Sequence, residues 1–97
     1  MPMPRVLIAE DEASLRRLLG MLLANSGYKI ILAADGREAL NRLSGGDVFD
    51  LVITDLKMPR LDGMSLVRRV HQNWPDLPVL VITAFGTIES AVEAMQA

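Results

Sequence analysis

The sequence predicts an α/β fold in which helices wrap a parallel sheet. Short apolar runs, typical of strands buried on both faces, alternate four times with longer runs of helical spacing along the 97 residues. The connections between these runs are short, and such alternation favours parallel strands joined by right-handed crossovers. This length suggests a single domain.

The first strand is predicted at residues 6–9, a run of apolar or small residues that is followed directly by acids. The next run carries leucines at helical spacing, so we expect a helix with one apolar stripe on the sheet. Arg16 and Arg17 should lie on the opposite side, and Gly27 should end the helix as a left-handed cap. The stripe consists of Leu15, Leu18, Leu19, Leu22 and Leu23.

The second strand is predicted at residues 29–33. Asp35 and Glu38 then stand at the spacing of a capping box, which indicates the start of a short helix. The glycines at positions 45 and 46 close this helix. Its inward face should carry Ala39, Leu40 and Leu43.

The third strand is predicted at residues 51–54 and ends on Asp55, because the following Pro59 breaks the chain into a loop. Asp62 can cap a third helix, and the fourth strand is predicted at residues 79–83. A fourth helix, capped by Thr87, should follow. The third helix should bury Met64, Leu66, Val67 and Val70.

Three of the four predicted strands end in a polar group: Glu10 and Asp11 after the first, Asp55 after the third, and Thr83 at the fourth. Because parallel strands end at one edge of the sheet, we expect these side chains to converge where ligands bind in open α/β sheets. Crowded carboxylates favour a divalent cation, and an all-oxygen site suits Mg²⁺ or Mn²⁺. Asp55 could act as a nucleophile, bind the metal, or simply begin a turn.

The chain resembles the receiver domain of two-component response regulators. The resemblance rests on VLIAEDE at residues 6–12, DLKMP at 55–59 followed by DG at 62–63, and VITA at 81–84. Residues 83–92 further resemble receivers of the NtrC type, whose outputs are transcription-activating ATPases. The family implies a flavodoxin-like, CheY-like doubly wound sheet of strand order 2-1-3-4-5.

The resemblance also implies roles for the site residues. Asp55 would accept a phosphoryl group from a histidine kinase, and an output domain that regulates transcription would respond. Thr83 would be the switch hydroxyl, and Ala84 would offer a backbone N–H to the phosphoryl group. Such a module is a signalling domain rather than an enzyme. Mg²⁺ would be held by Glu10, Asp11, Asp55 and the backbone carbonyl of Lys57.

Two departures from the family pattern affect these expectations. Receivers more often have Asp where this chain has Glu10, and the family's fifth strand, fifth helix and active-site lysine would follow Ala97. We therefore expect residues 1–97 to be a receiver truncated at its C-terminus, with poor phosphate uptake. An unprotected fourth strand would favour a homodimer or strand-exchanged oligomer. The alternative function is an interaction module that dimerises without phosphorylation.

Composition argues against several other classes. A net charge of −2 gives no electrostatic footprint for nucleic acid, and no apolar run is long enough for a signal peptide or membrane span. The absence of cysteine fits a reducing cytoplasm. A metal-dependent phosphatase would need a second Asp two residues after Asp55, and a nucleotide-binding domain would need a glycine-rich loop after the first strand.

Overall fold

A computed structural model describes residues 3–82, which form one parallel four-stranded sheet and three helices. The strand order is β2-β1-β3-β4, which confirms the predicted fold class. None of the three helices has the length and apolar character needed to cross a membrane. The predicted fourth helix and Thr83 lie outside the described residues. The elements are β1 (Arg5–Ala9), α1 (Ala13–Asn25), β2 (Lys29–Ala33), α2 (Gly36–Ser44), β3 (Leu51–Asp55), α3 (Gly63–Asn73) and β4 (Val79–Ile82).

The two faces of the sheet are buried by different helices. Successive side chains of a strand point to opposite faces, so Leu7 and Val52 face α2 and α3, whereas Val6 and Ile8 face α1. All four are at most 1% exposed, as expected for the central strands of a sheet that is covered on both sides. The inward residues predicted for α2 and α3 are confirmed, because Ala39, Leu43, Leu66, Val67 and Val70 are buried and Leu40 and Met64 pack against them.

The predicted leucine stripe of α1 is only partly correct. Leu19 and Leu23 pack against the sheet, but Leu15, Leu18 and Leu22 are exposed. The reason is Gly20, which is the buried residue of this helix. A Cβ at this position would lie 3.3 Å from Cδ2 of Leu32 in β2. The absence of a side chain at Gly20 lets this side of the helix approach the sheet closely. The other three leucines therefore face solvent.

Arg16 corrects a second prediction for α1. We expected it opposite the sheet, but it is half-buried, and its Nη1 donates to the carbonyl oxygen of Glu10 at 2.8 Å. It lies one turn from Leu19 and Gly20 on the line that faces the sheet. Arg17 is exposed as predicted. The rotation of α1 therefore brings a guanidinium to the end of β1.

The predicted caps of α2 and α3 are present. The Asp35 carboxylate accepts from the backbone N–H of Glu38 at 2.8 Å, and the Asp62 carboxylate accepts from that of Ser65 at 2.8 Å. Gly27, with φ of 96°, follows α1 in the left-handed conformation that the sequence predicted. The two aspartate caps set where α2 and α3 begin, and so they set the ends of the loops after β2 and β3 at the carboxyl edge of the sheet. Gly27 sets the end of α1 at the opposite edge.

Candidate functional site

Three carboxylates meet at the carboxyl edge of the sheet. Glu10 and Asp11 directly follow β1, and Asp55 is the last residue of β3. The two strands are neighbours in register, with Ala9 opposite Thr54, so their ends are adjacent. One carboxylate oxygen from each acid lies within 4.8 Å of the others. The structure thus brings together the three acids that the sequence placed at one edge.

Glu10 is the buried member of this cluster. It is 1% exposed, and its Oε2 accepts from the backbone N–H of Glu12 at 3.1 Å. Its Oε1 is buried without a hydrogen-bond partner among residues 3–82. Burial raises the Glu10 pKa to about 7; the Glu12 N–H opposes the rise, and the carboxylates of Asp11 and Asp55 add to it. The site therefore contains an acid whose charge is poorly solvated.

Asp55 is half-buried, so a ligand can reach its carboxylate from solvent. Its Oδ1 accepts from the backbone N–H of Leu56 at 2.7 Å. The strand end beneath it is fixed by the hydroxyl of Thr54, which donates to the Asp55 carbonyl oxygen at 2.9 Å. Gly63 packs directly against the same carbonyl, since a Cβ there would overlap it. The acid is thus presented from a rigid strand terminus.

The other predicted site residues stand as follows. Lys57 lies two residues beyond Asp55 in the loop after β3 with an exposed side chain, and the role of its carbonyl stays a prediction. Thr83 and Ala84 lie outside the described residues, so their roles stay predictions as well. Asp11 is exposed at the mouth of the cluster.

The donor set fits a small hard cation. Three carboxylates within 4.8 Å repel one another, and a divalent ion would relieve this repulsion. The buried Glu10 Oε1 has no donor among the described residues, so it is suited to accept a positive charge. Oxygen-only ligands are those that Mg²⁺ prefers, and this chain has no cysteine to favour a softer metal.

Sequence reasoning missed two features at the carboxyl edge of the sheet. Asp35 was recognised only as a helix cap, but it also pairs with Arg60, whose Nη1 lies 3.0 Å from its Oδ2. Arg16 was assigned to the wrong side of α1. Asp35 and Arg60 are 25 positions apart, and no local spacing signals such a pair.

Comparison with known proteins agrees with this geometry. The family model described as "Response regulator receiver domain" matches residues 6–97. The chain belongs to the response regulator receiver domain family. The family that the sequence predicted is thereby confirmed.

Curated relatives support the same assignment for this receiver domain. It is 41% identical over 91 residues to the transcriptional regulatory protein GlrR of Escherichia coli, covering 94% of this chain and 20% of GlrR. It is 40% identical over 93 residues to the response regulator MprA of Mycolicibacterium vanbaalenii, covering 96% of this chain and 40% of MprA. The chain therefore spans a fifth to two fifths of the length of these two relatives.

Solved structures of receiver domains superpose closely on this one. The response regulator TrrA of Thermotoga maritima, solved in complex with Mg²⁺ and BeF, has a TM-score of 0.86 at 33% identity, covering 98% of this chain and 82% of that one. The chemotaxis response regulator CheY4 of Vibrio cholerae has a TM-score of 0.83 at 33% identity, and the match covers 95% of this chain and 78% of CheY4. The CheY-like fold expected from the sequence is confirmed.

Proposed function

We propose that this receiver domain accepts a phosphoryl group on Asp55 from a histidine kinase. The observation that supports this most strongly is the convergence of Glu10, Asp11 and Asp55 within 4.8 Å at an open edge of the sheet. In the transfer, an Asp55 carboxylate oxygen forms a new P–O bond while the P–N bond of a phosphohistidine breaks. The electron pair of that bond stays on the imidazole nitrogen, which takes a proton.

The three carboxylates and the Lys57 carbonyl would hold Mg²⁺ in this reaction. Bound there, the ion would neutralise the acids and the charge that develops on the phosphoryl oxygens. The buried position of Glu10 means that its charge is best compensated by a cation at the same edge. The Thr83 hydroxyl and the Ala84 N–H would then bind the phosphoryl oxygens. The Mg²⁺ and BeF in the TrrA structure are consistent with this assignment.

We also propose that phosphorylation controls an output domain that regulates transcription in the cytoplasm. This follows from relatives such as GlrR, which is named a transcriptional regulatory protein and is about five times as long as the matched segment. Receiver domains are signalling domains and not metabolic enzymes. Because the net charge of this chain is −2, we assign nucleic-acid binding to the output domain and not to this segment.

Phosphorylation with acetyl phosphate and Mg²⁺, followed by intact mass measurement, tests the proposed role of Asp55. The parent chain should slowly gain the mass of one phosphoryl group, as expected for poor phosphate uptake, and Asp55→Asn should gain none because an amide is a far poorer nucleophile. Asp76→Asn is the matched control, since it removes an exposed carboxylate that precedes β4, at the opposite edge of the sheet. Labelling of Asp55→Asn, or no Mg²⁺-dependent labelling of the parent, would contradict the proposal.

A second candidate function is self-association, and it rests on an exposed apolar face. Leu80 of β4 lies on the same side of the sheet as α1 and is exposed, and β4 is an edge strand of the sheet formed by residues 3–82. Soluble monomers rarely expose large apolar patches, and several large apolar side chains are exposed on this side of the sheet. We propose a homodimer that covers this face and edge. The exposed large apolar residues of α1 are Leu15, Leu18, Met21 and Leu22.

Light scattering at micromolar concentration tests the proposed dimer. The parent chain should have the mass of two chains, and the double variant Leu18→Gln and Leu22→Gln should dissociate it. Both leucines are more than half exposed, so the replacements should change the stability of each chain little. A parent that is monodisperse as a monomer would eliminate this candidate and leave the phosphorylation proposal untouched.

A further inference from the structure

The loop between β3 and α3 contains a strained turn at Arg60. The backbone N–H of Leu61 donates to the carbonyl oxygen of Pro59 at 2.8 Å, and φ of the intervening Arg60 is 70°. Three-residue turns with a left-handed central residue are rare and strained. Within residues 3–82, Arg60 is the one residue other than glycine with positive φ. Such a conformation persists only where surrounding contacts hold it.

One such contact is an ion pair with a buried acid of α2. Arg60 Nη1 lies 3.0 Å from Oδ2 of Asp35, whose side chain is 6% exposed, while the Arg60 side chain is 74% exposed. The other oxygen of Asp35 is already engaged, because Oδ1 accepts from the Glu38 N–H that it caps. One buried carboxylate thus serves two elements: it caps α2 with one oxygen and binds the loop with the other.

Backbone contacts next to the ion pair reinforce this attachment. A Cβ on Gly36, the first residue of α2, would overlap the carbonyl oxygen of Leu61. The loop backbone therefore rests directly on the helix, one residue from Arg60. On the other side of the loop, the Gly63 N–H donates to the carbonyl oxygen of Leu56 at 2.8 Å. The segment that carries Lys57 is held at both of its ends.

We infer that Asp35 and Arg60 are positioning residues for the metal site, because their ion pair holds the loop of residues 56–62 against α2 and fixes the Lys57 backbone beside Asp55. This inference rests on the proposed function, which makes the Lys57 carbonyl a ligand of Mg²⁺. Loss of a partner that orients a metal ligand typically costs about tenfold to a hundredfold in metal affinity.

The variant Arg60→Gly distinguishes two roles of Arg60: positioning of the loop through its ion pair, and the long-range effect of its charge on Mg²⁺ binding. Glycine adopts a φ of 70° without strain, so the turn remains possible while the guanidinium is lost. Removal of a positive charge near an acidic site should strengthen Mg²⁺ binding if only long-range electrostatics act. If the ion pair positions the loop, binding should instead weaken, by roughly tenfold. The two explanations therefore predict opposite signs.

Three further variants complete the test. Asp35→Asn keeps an effective cap for α2 but loses the charge, and combining it with Arg60→Gly should weaken binding no further, because the pair is already broken. Arg60→Lys retains the cation and should restore part of the affinity. Arg42→Gln removes an exposed charge of α2 and is the matched control, which should leave Mg²⁺ binding close to that of the parent.

Two measurements decide the outcome: calorimetric titration of the full chain with Mg²⁺, and hydrogen exchange of the Leu61 amide without metal. We expect Arg60→Gly to bind Mg²⁺ more weakly and to exchange the Leu61 amide faster, with little change in the urea midpoint. Affinity equal to or greater than that of the parent would overturn the inference while the proposed function stands, even if exchange became faster. A parent chain that does not bind Mg²⁺ would refute both.

Discussion

Replacement of Glu10 by glutamine should stabilise the metal-free protein and abolish Mg²⁺ binding. Burial raises the Glu10 pKa from its usual 4.5 to about 7, so the folded state disfavours the ionised form. When the pH lies between these two pKa values, Glu10 takes up a proton as the protein folds. The free energy of unfolding therefore decreases as the pH rises through this range. One pKa unit corresponds to about 1.4 kcal/mol, so the ionised Glu10 destabilises the fold by about 3 kcal/mol above pH 7.

Urea unfolding of parent and Glu10→Gln at about pH 5 and about pH 8, both without metal, measures this effect. Glutamine has the same shape and no charge. The free energy of unfolding of the variant should therefore exceed that of the parent by less than about 1 kcal/mol at the lower pH and by about 3 kcal/mol at the higher pH. Titrating groups that do not interact with Glu10 cancel in the difference between the two proteins. Mg²⁺ should stabilise the parent at the higher pH and leave the variant unchanged.

The reasoning about Glu10 would be refuted if the stability difference between the two proteins did not change with pH. Asp76→Asn provides the control, because this acid is exposed and lies at the opposite edge of the sheet. The difference in stability between Asp76→Asn and the parent should be the same at the two pH values. A stability gain of similar size in Asp76→Asn would assign the effect to overall charge and not to burial of Glu10.

Three further predictions concern how the site is held, and urea unfolding measures each of them. Gly63→Ala should destabilise the chain by roughly 2 kcal/mol, although alanine is the better helix former, because its Cβ would overlap the Asp55 carbonyl; an unchanged or higher stability would contradict this. Asp62→Ala should cost about 1 kcal/mol through loss of the α3 cap, whereas Asp62→Asn should cost little. The Ser65 N–H lowers the Asp62 pKa below 3.8, so the ionised Asp62 carboxylate's contribution should be present above that pH and disappear on acidification. Thr54→Val should cost about 1 kcal/mol, because the buried hydroxyl donates to the Asp55 carbonyl; equal stability would show that this hydrogen bond has no net value.

Local patterns were sufficient to predict most of the elements. The apolar run that ends on Asp55 forms β3, and the predicted caps at Asp35 and Asp62 each start a helix. Such signals act between residues a few positions apart, so they can be read without knowledge of the packing. The rotation of α1 could not be read in this way, because Gly20 is meaningful only when Leu32 of β2 is known to lie against it.

The candidate site also has features that the sequence predicts and features that depend on packing. Residue type and position at strand ends predicted the acids Glu10, Asp11 and Asp55, since parallel strands necessarily end at a common edge. Neither the burial of Glu10 nor the pairing of Arg60 with Asp35 could be predicted. Both depend on how loops from different βα units pack together, which no spacing along the chain specifies.

The sequence by itself determined the order of strands and helices, the residues that cap α2 and α3, and the identity of the acids at the sheet edge. These follow from local hydrogen bonding and from the periodicity of apolar residues. Only the tertiary structure decided which acid is desolvated and which side chains hold the loop after β3. The physical reason is that desolvation and ion pairing depend on distances in space, and those distances are set by packing between segments that are far apart in the chain.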